Sequence, residues 1–254
     1  MIDAASIAMV GGAALVGGAV NAVAGGGSLI TFPALVAAGL PAVAASATNT
    51  IALCPGYLGA AWSQRRDLTG QGRRVVSLGL VGAIGGTLGA VLLLVTGERT
   101  FTAIVPFLIL LAVVMIGFQA QIRTHLHARV AAHHTEALAA LPVGLASIYG
   151  GYFGAGMGVM ILAALGVVLA DTLIRINALK QTISLFTNVA AAIVLAIWGP
   201  IEWPIVLVMA VAALAGGALG GMVATRIPAA ALRWSIVAIG SAVSIVYFAK
   251  LFQG

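Results

Sequence analysis

Apolar residues fall in ten runs along the chain, at about 4–24, 28–40, 43–63, 75–96, 101–121, 138–153, 157–170, 176–198, 203–225 and 230–252. The pattern predicts helices throughout, and a full membrane crossing needs about 20 such residues. Two pairs of runs, 4–24 with 28–40 and 138–153 with 157–170, contain short members and meet at glycine clusters, GGG at 25–27 and GAGMG at 154–158. Glycine at that density is costly inside a helix. Each pair is therefore predicted to be a helical hairpin broken at its glycines. Non-helical backbone at membrane depth is tolerated only where protein or a cavity surrounds it.

The same pattern recurs at a fixed offset of 131 residues. Gly25 and Gly27 stand that far before Gly156 and Gly158, and Ala47 in SATNT stands that far before Ala178 in NALKQ. Gly85, Gly86, Leu88 and Gly89 likewise precede Gly216, Gly217, Leu219 and Gly220. The organisation expected is a first repeat at 1–121, a cytoplasmic linker at 122–137 and a second repeat at 138–254. A duplication of this kind in an apolar chain marks a transporter whose substrate site lies between the copies.

Composition makes lipid the solvent. Hydrophobic residues are 62% of the 254 and charged residues 7%, where a soluble domain carries about 25% charged. The net charge of +6 has no basic stripe with interleaved aromatics beneath it, so nucleic acid is not an expected partner. It reads instead as basic loops placed by the positive-inside rule. Arg65, Arg66, Arg73, Arg74, Arg123, Arg129, Arg175, Lys180, Arg226 and Arg233, ten of the twelve Lys and Arg, fall in segments that can share the cytoplasmic side. The Arg-rich loop at 65–74 corresponds to 196–205, which carries Glu202 and no Lys or Arg. Equivalent loops then lie on opposite faces. The fold expected is an all-α membrane protein, an inverted-repeat polytopic bundle with two glycine-broken helical hairpins and both termini outside. The opening MIDAASIAMV lacks Lys and Arg and reads as a first membrane segment rather than a cleaved signal. Cys54 stands alone, so no internal disulfide is expected. Trp62, Trp198, Trp203 and Trp234 sit near run ends, as interfacial anchors do. The GxxxG pairs Gly82–Gly86, Gly85–Gly89, Gly216–Gly220 and Gly217–Gly221 are expected to pack helices within the chain; a homodimer contact is the alternative.

Candidate chemistry gathers around the glycine clusters. The helices that follow them present amino ends, which carry partial positive charge and suit an anion. Asn21 precedes the first cluster, Gly25, Gly26 and Gly27, and Ser28 and Thr31 follow it. Tyr149 and Tyr152 precede the second, with Gly154, Gly156 and Gly158. The next runs begin with Ser46, Thr48, Asn49 and Thr50 in one copy and Asn177, Lys180 and Gln181 in the other. Position 49 corresponds to 180, an Asn to a Lys. An ammonium within a span is a functional candidate, although Lys180 lies close enough to the run's start to reach the membrane surface. Asp171 can pair with Arg175 or Lys180. All six acids (Asp3, Asp67, Glu98, Glu136, Asp171 and Glu202) fall in loops or at ends, which disfavours a carboxylate proton relay and a cation site. No metal ligand set, dinucleotide motif, phosphate loop or catalytic triad is present, so no cofactor, no metal and no enzyme activity is expected. His125, His127, His133 and His134 are read as a solvated linker.

The glycine cluster, the arm with Pro33, Gly39-Leu40-Pro41 and SATNT resemble the TauE/SafE family, the sulfite exporters also called TSUP. The second copy, GAGMG followed by INALKQTISLFTN, resembles that family's carboxyl-terminal half. The likeness runs from about residue 5 to 250, with Met157 in place of a third glycine and Ala164 in place of a second proline. It implies a multi-spanning inner-membrane protein handling sulfite, sulfonates or other organic acids. It also implies Gly25, Gly26, Gly27, Thr48, Asn49, Gly156, Gly158, Asn177 and Lys180 as signature positions. The function expected is alternating-access transport or facilitated passage of a small anion. An anion channel and a non-transporting membrane scaffold are the rivals.

Overall fold

The computed structural model describes residues 3–23, 26–121, 137–223 and 229–253. Gly25, the linker histidines, Arg123, Arg129, Glu136 and Arg226 lie outside the described residues. Ten α-helices of ten residues or more are present among those described: α1 (Ala4–Val23), α2 (Ser28–Ala37), α3 (Ala42–Ser63), α4 (Gly72–Thr96), α5 (Glu98–Gly117), α6 (Ala137–Tyr152), α7 (Met157–Val168), α8 (Leu173–Trp198), α9 (Trp203–Val223) and α10 (Ala229–Gln253). Each corresponds to one of the ten apolar runs. A short 3-10 turn, Arg65–Leu68, follows α3. Four helices (α1, α4, α5 and α8) are long and apolar enough to cross a membrane by length and composition. At 10 and 12 residues, α2 and α7 rise only about 15–18 Å, too little for a crossing of about 30 Å.

Small residues face inward and large ones outward. On α4, Gly79, Gly82, Gly85, Gly86, Gly89 and Ala90 are buried, while Val76, Leu80, Ile84, Leu88 and Val95 are exposed. That inversion suits lipid outside and close backbone contact inside. A Cβ on Gly86 would lie 2.2 Å from Thr187 O on α8, and one on Gly89 would lie 2.1 Å from Ile148 O on α6. A Cβ on Gly216 would lie 1.9 Å from Leu15 O on α1. These members of the GxxxG pairs are thus engaged within the chain. Trp62, Trp198, Trp203 and Trp234 are exposed, and Arg65 covers the Trp62 ring at 4.4 Å.

The most extensive helix contacts among the described residues pair off between the two halves. α3 packs on its counterpart α8, and α5 on its counterpart α10. α1 packs on α9 while α6 packs on α4, and α3 packs on α9 while α8 packs on α4. α3 and α8 run antiparallel. Cys54 Sγ donates to Asn188 O at 3.5 Å, and ten residues further on the Asn177 amide donates to Gln64 Oε1 at 2.8 Å. The Tyr57 side chain lies near those of Asn188, which stands 131 residues further on, and Asn21.

Two polar knots tie opposite ends of the bundle. At the basic end, Asp171 receives Arg175 Nε and Arg74 Nη1, each at 2.8 Å, and Arg175 Nη1 donates to Thr69 O at 2.9 Å. Of the partners expected for Asp171, Arg175 is engaged with it, and Arg74 joins them. At the far end the Glu98 carboxylate accepts from the backbone amides of Ala42 and Val43, capping α3. Glu202 N donates to Thr48 Oγ1 at 3.3 Å there. Phe32, Phe101, Tyr152 and Phe153 pack edge to face beside it, with centroids 5.2 Å apart for Phe32–Phe153 and 5.3 Å for Phe101–Tyr152.

Candidate solute-binding cavity

The two glycine tips meet in one space but are built differently. Gly154 and Gly156 have φ of +86° and +80°, a region that side chains enter only with strain. Gly27 has an ordinary φ of −54°; there the constraint is room, because a Cβ would lie 2.3 Å from Gly17 O on the neighbouring arm. The first hairpin needs glycine for closeness and the second for handedness.

Between the tips lies a cavity of about 430 Å³, within the range of about 300–1,000 Å³ usual for small-molecule sites. Its walls are Asn21 and Gly26–Ser28 from the first hairpin, Gly154–Gly156 and Gly158 from the second, and segments of α3, α8 and α9. Along α3 the lining residues Leu53, Gly56, Tyr57, Ala60, Ser63 and Gln64 form one helical stripe whose small members open the space. Ser63 is exposed and adjoins the basic end. Ser63 and Gln64 form the part of the wall next to the Arg-rich loop.

Of the residues singled out in the sequence, Asn21, Gly26, Gly27, Ser28, Gly154, Gly156, Gly158, Lys180 and Gln181 line this cavity. Lys180 is half-buried, and its Nζ would lie 3.9 Å from a Cβ on Gly158, at the start of α7. It is the only charged side chain among the described lining residues. Thr31, Thr48, Asn49, Tyr152 and Asn177 lie behind the walls. The Thr31 hydroxyl donates to Asn49 Oδ1 at 2.6 Å, and both residues are buried. Tyr152 O accepts from Ser46 Oγ at 3.4 Å, and Asn177 holds the rim residue Gln64. These five hold helices together rather than face the space. Tyr57, Ser184 and Gln64 line it without having been set apart beforehand. The 131-residue relation between Tyr57 and Asn188 was the available signal.

The family model described as "Sulfite exporter TauE/SafE" matches residues 10–247, nearly the whole chain and both halves of the cavity wall. The chain belongs to the TauE/SafE family. Curated relatives agree at the level of class. The chain is 26% identical to the probable membrane transporter protein ORF9 of Sinorhizobium sp, over 92% of this chain and 88% of that protein. It is 27% identical to a probable membrane transporter protein of Haemophilus influenzae, over 82% and 81% of the two chains. A third relative is the probable membrane transporter protein YfcA of Escherichia coli, 25% identical over 82% of this chain and 76% of that one. No solved structure matches. The protein is thus a TauE/SafE membrane transporter, a multi-pass helical chain with a cavity between two glycine-tipped hairpins.

Proposed function

We propose that this TauE/SafE transporter is a secondary carrier or facilitator of a small organic or sulfur-containing anion, of the sulfite, sulfonate and organic-acid class. The observation that carries the reading is the convergence of Lys180 with the amino ends of α2 and α7 on one cavity, whose described lining holds no carboxylate. A positive side chain and two helix amino ends favour negative charge. Lys180 takes the anionic group, Ser28, Gln181 and Asn21 supply hydrogen bonds, and Thr31, Thr48, Asn49, Tyr152 and Asn177 hold the walls.

The halves act as an inverted repeat in the inner membrane, with the basic end cytoplasmic and both termini outside. The antiparallel run of α3 and α8 and the pairing of helix contacts between the two halves support this. Alternating access follows from an asymmetry between equivalent seams. Gly86 of α4 is pressed on Thr187 of α8. The equivalent pair, Gly217 of α9 and Gly56 of α3, stands on separate walls of the cavity. An added Cβ on Gly56 meets nothing within 4 Å, and one on Gly217 meets only Gly18 O at 3.8 Å. In the second state α9 closes on α3 and α8 parts from α4.

Purified protein in proteoliposomes tests the reading. Lys180→Ala is expected to abolish uptake while the protein stays folded; wild-type flux in that variant removes Lys180 from the mechanism. Thermal-shift measurements against sulfite, sulfoacetate, taurine and small carboxylates identify the ligand. One that binds only folded protein stabilises it by about 2.7 kcal/mol at 100 times its dissociation constant.

A further inference from the structure

The hydroxyl of Ser184 breaks a rule that its neighbours obey. Hydroxyl and amide side chains on buried helices satisfy themselves by bonding back one turn. Thr182 Oγ1 donates to Ala178 O, Thr187 Oγ1 to Ile183 O, Asn188 Nδ2 to Ser184 O and Thr50 Oγ1 to Ser46 O, all at 2.9–3.0 Å. Ser184 is 0% exposed, lines the cavity, and its Oγ has no hydrogen-bond partner. The repeat does not require a hydroxyl at this place, because the equivalent residue is Leu53, which also lines the cavity. A buried donor left unpaired disfavours the folded state unless something else meets it.

Its place along the helix says what that partner is. Ser184 lies on the face of α8 that carries Lys180, one turn deeper, and Asn188 lies one turn deeper again beside Tyr57, which also lies near Asn21. Polar groups therefore continue inward from the ammonium for about two turns, roughly 12 Å. An inorganic oxyanion at Lys180 leaves most of the 430 Å³ to water, at about 30 Å³ per molecule.

We propose that Ser184 is a specificity-determining residue, whose hydroxyl donates a hydrogen bond to an oxygen on the body of the solute, inward of its anionic head. The solute is then a short-chain organic oxyanion bearing a hydroxyl or carbonyl oxygen near the charged group. This rests on the anion reading of the cavity and refines it. A site built to bond an oxygen discriminates against the analogue that lacks it.

Two pairs of probes test this on the full-length protein in proteoliposomes: ethanesulfonate with 2-hydroxyethanesulfonate, and propanoate with 2-hydroxypropanoate. Wild type is expected to prefer the hydroxylated member of at least one pair by about tenfold in apparent affinity, the size of one good hydrogen bond. Ser184→Ala is expected to bring that ratio close to one without weakening the unsubstituted member, and Ser184→Thr to restore it. Melting temperature separates this from a structural role, because removing an unpartnered hydroxyl leaves it unchanged or raises it. A wild-type ratio in Ser184→Ala, no preference in wild type, or a drop in melting temperature overturns the proposal. If Lys180→Ala still abolishes uptake, only the role of Ser184 has failed; if that variant transports normally, the anion site has failed with it.

Discussion

Gly156 and Gly158 sit two residues apart at the second hairpin tip and answer to different demands. Gly156 is held at positive φ, so Gly156→Ala is expected to lower stability by about 1–3 kcal/mol, measurable as a lower melting temperature in detergent. Gly158 has no such constraint, and its nearest neighbour for an added Cβ is Lys180 Cδ at 3.8 Å. Gly158→Ala is therefore expected to leave the melting temperature in place. It should weaken anion binding by crowding the space beside the ammonium, and unchanged affinity would remove that corner of the cavity from the site. Polar residues interrupting apolar runs, such as Asn21, Ser28, Lys180 and Gln181, stood out in the sequence and line the cavity. Thr31 and Asn49 stood out equally and instead bond each other. Sequence shows that a polar group is buried, and not whether its partner is protein or solute.

The elements were more legible than their faces. All ten helices were anticipated from apolar runs, and the differences lie at their ends. α8 begins at Leu173 rather than 176 because Thr172 caps it by accepting from Arg175 N. α5 begins at Glu98, three residues before its apolar run, because that carboxylate is engaged with the start of α3. α2 stops at Ala37 because Gly39 turns the chain with φ of +94°. A hydropathy pattern misses such turns, since they are polar or set by a single glycine. The glycine seams belong to this scale too. Gly86→Leu is expected to cost several kcal/mol by overpacking against the Thr187 backbone. Gly56→Leu points into open space and is expected to leave the fold intact while stopping transport, because Gly217 of α9 can no longer close on Gly56. Normal flux through the Gly56→Leu protein would rule out closure of that seam.

At the scale of the molecule, a repeat read from sequence makes the halves equal, and the structure makes them unequal. Gly86 is pressed on Thr187, whereas an added Cβ on Gly56 meets nothing within 4 Å and one on Gly217 meets only Gly18 O at 3.8 Å. The opposed orientation has a direct readout. In a background with Cys54 replaced, single cysteines at Gly70 and Ile201 are expected to react with impermeant reagent from opposite sides of the membrane. Labelling of both from one side would mean that the copies are parallel.

Tyr57 and Asn188 stand 131 residues apart in the sequence and come near each other where α3 packs on α8. In an assembly of two identical chains about a true dyad, a residue at such a place meets its own kind: phenol against phenol, or amide against amide. A phenol meeting an amide there needs two unequal partners, whether two different chains or two unlike halves of one. The centre of the molecule is chemically lopsided in this way: Lys180 and Ser184 of α8 line the cavity, and of Asn49 and Leu53, which stand 131 residues before them on α3, only Leu53 does.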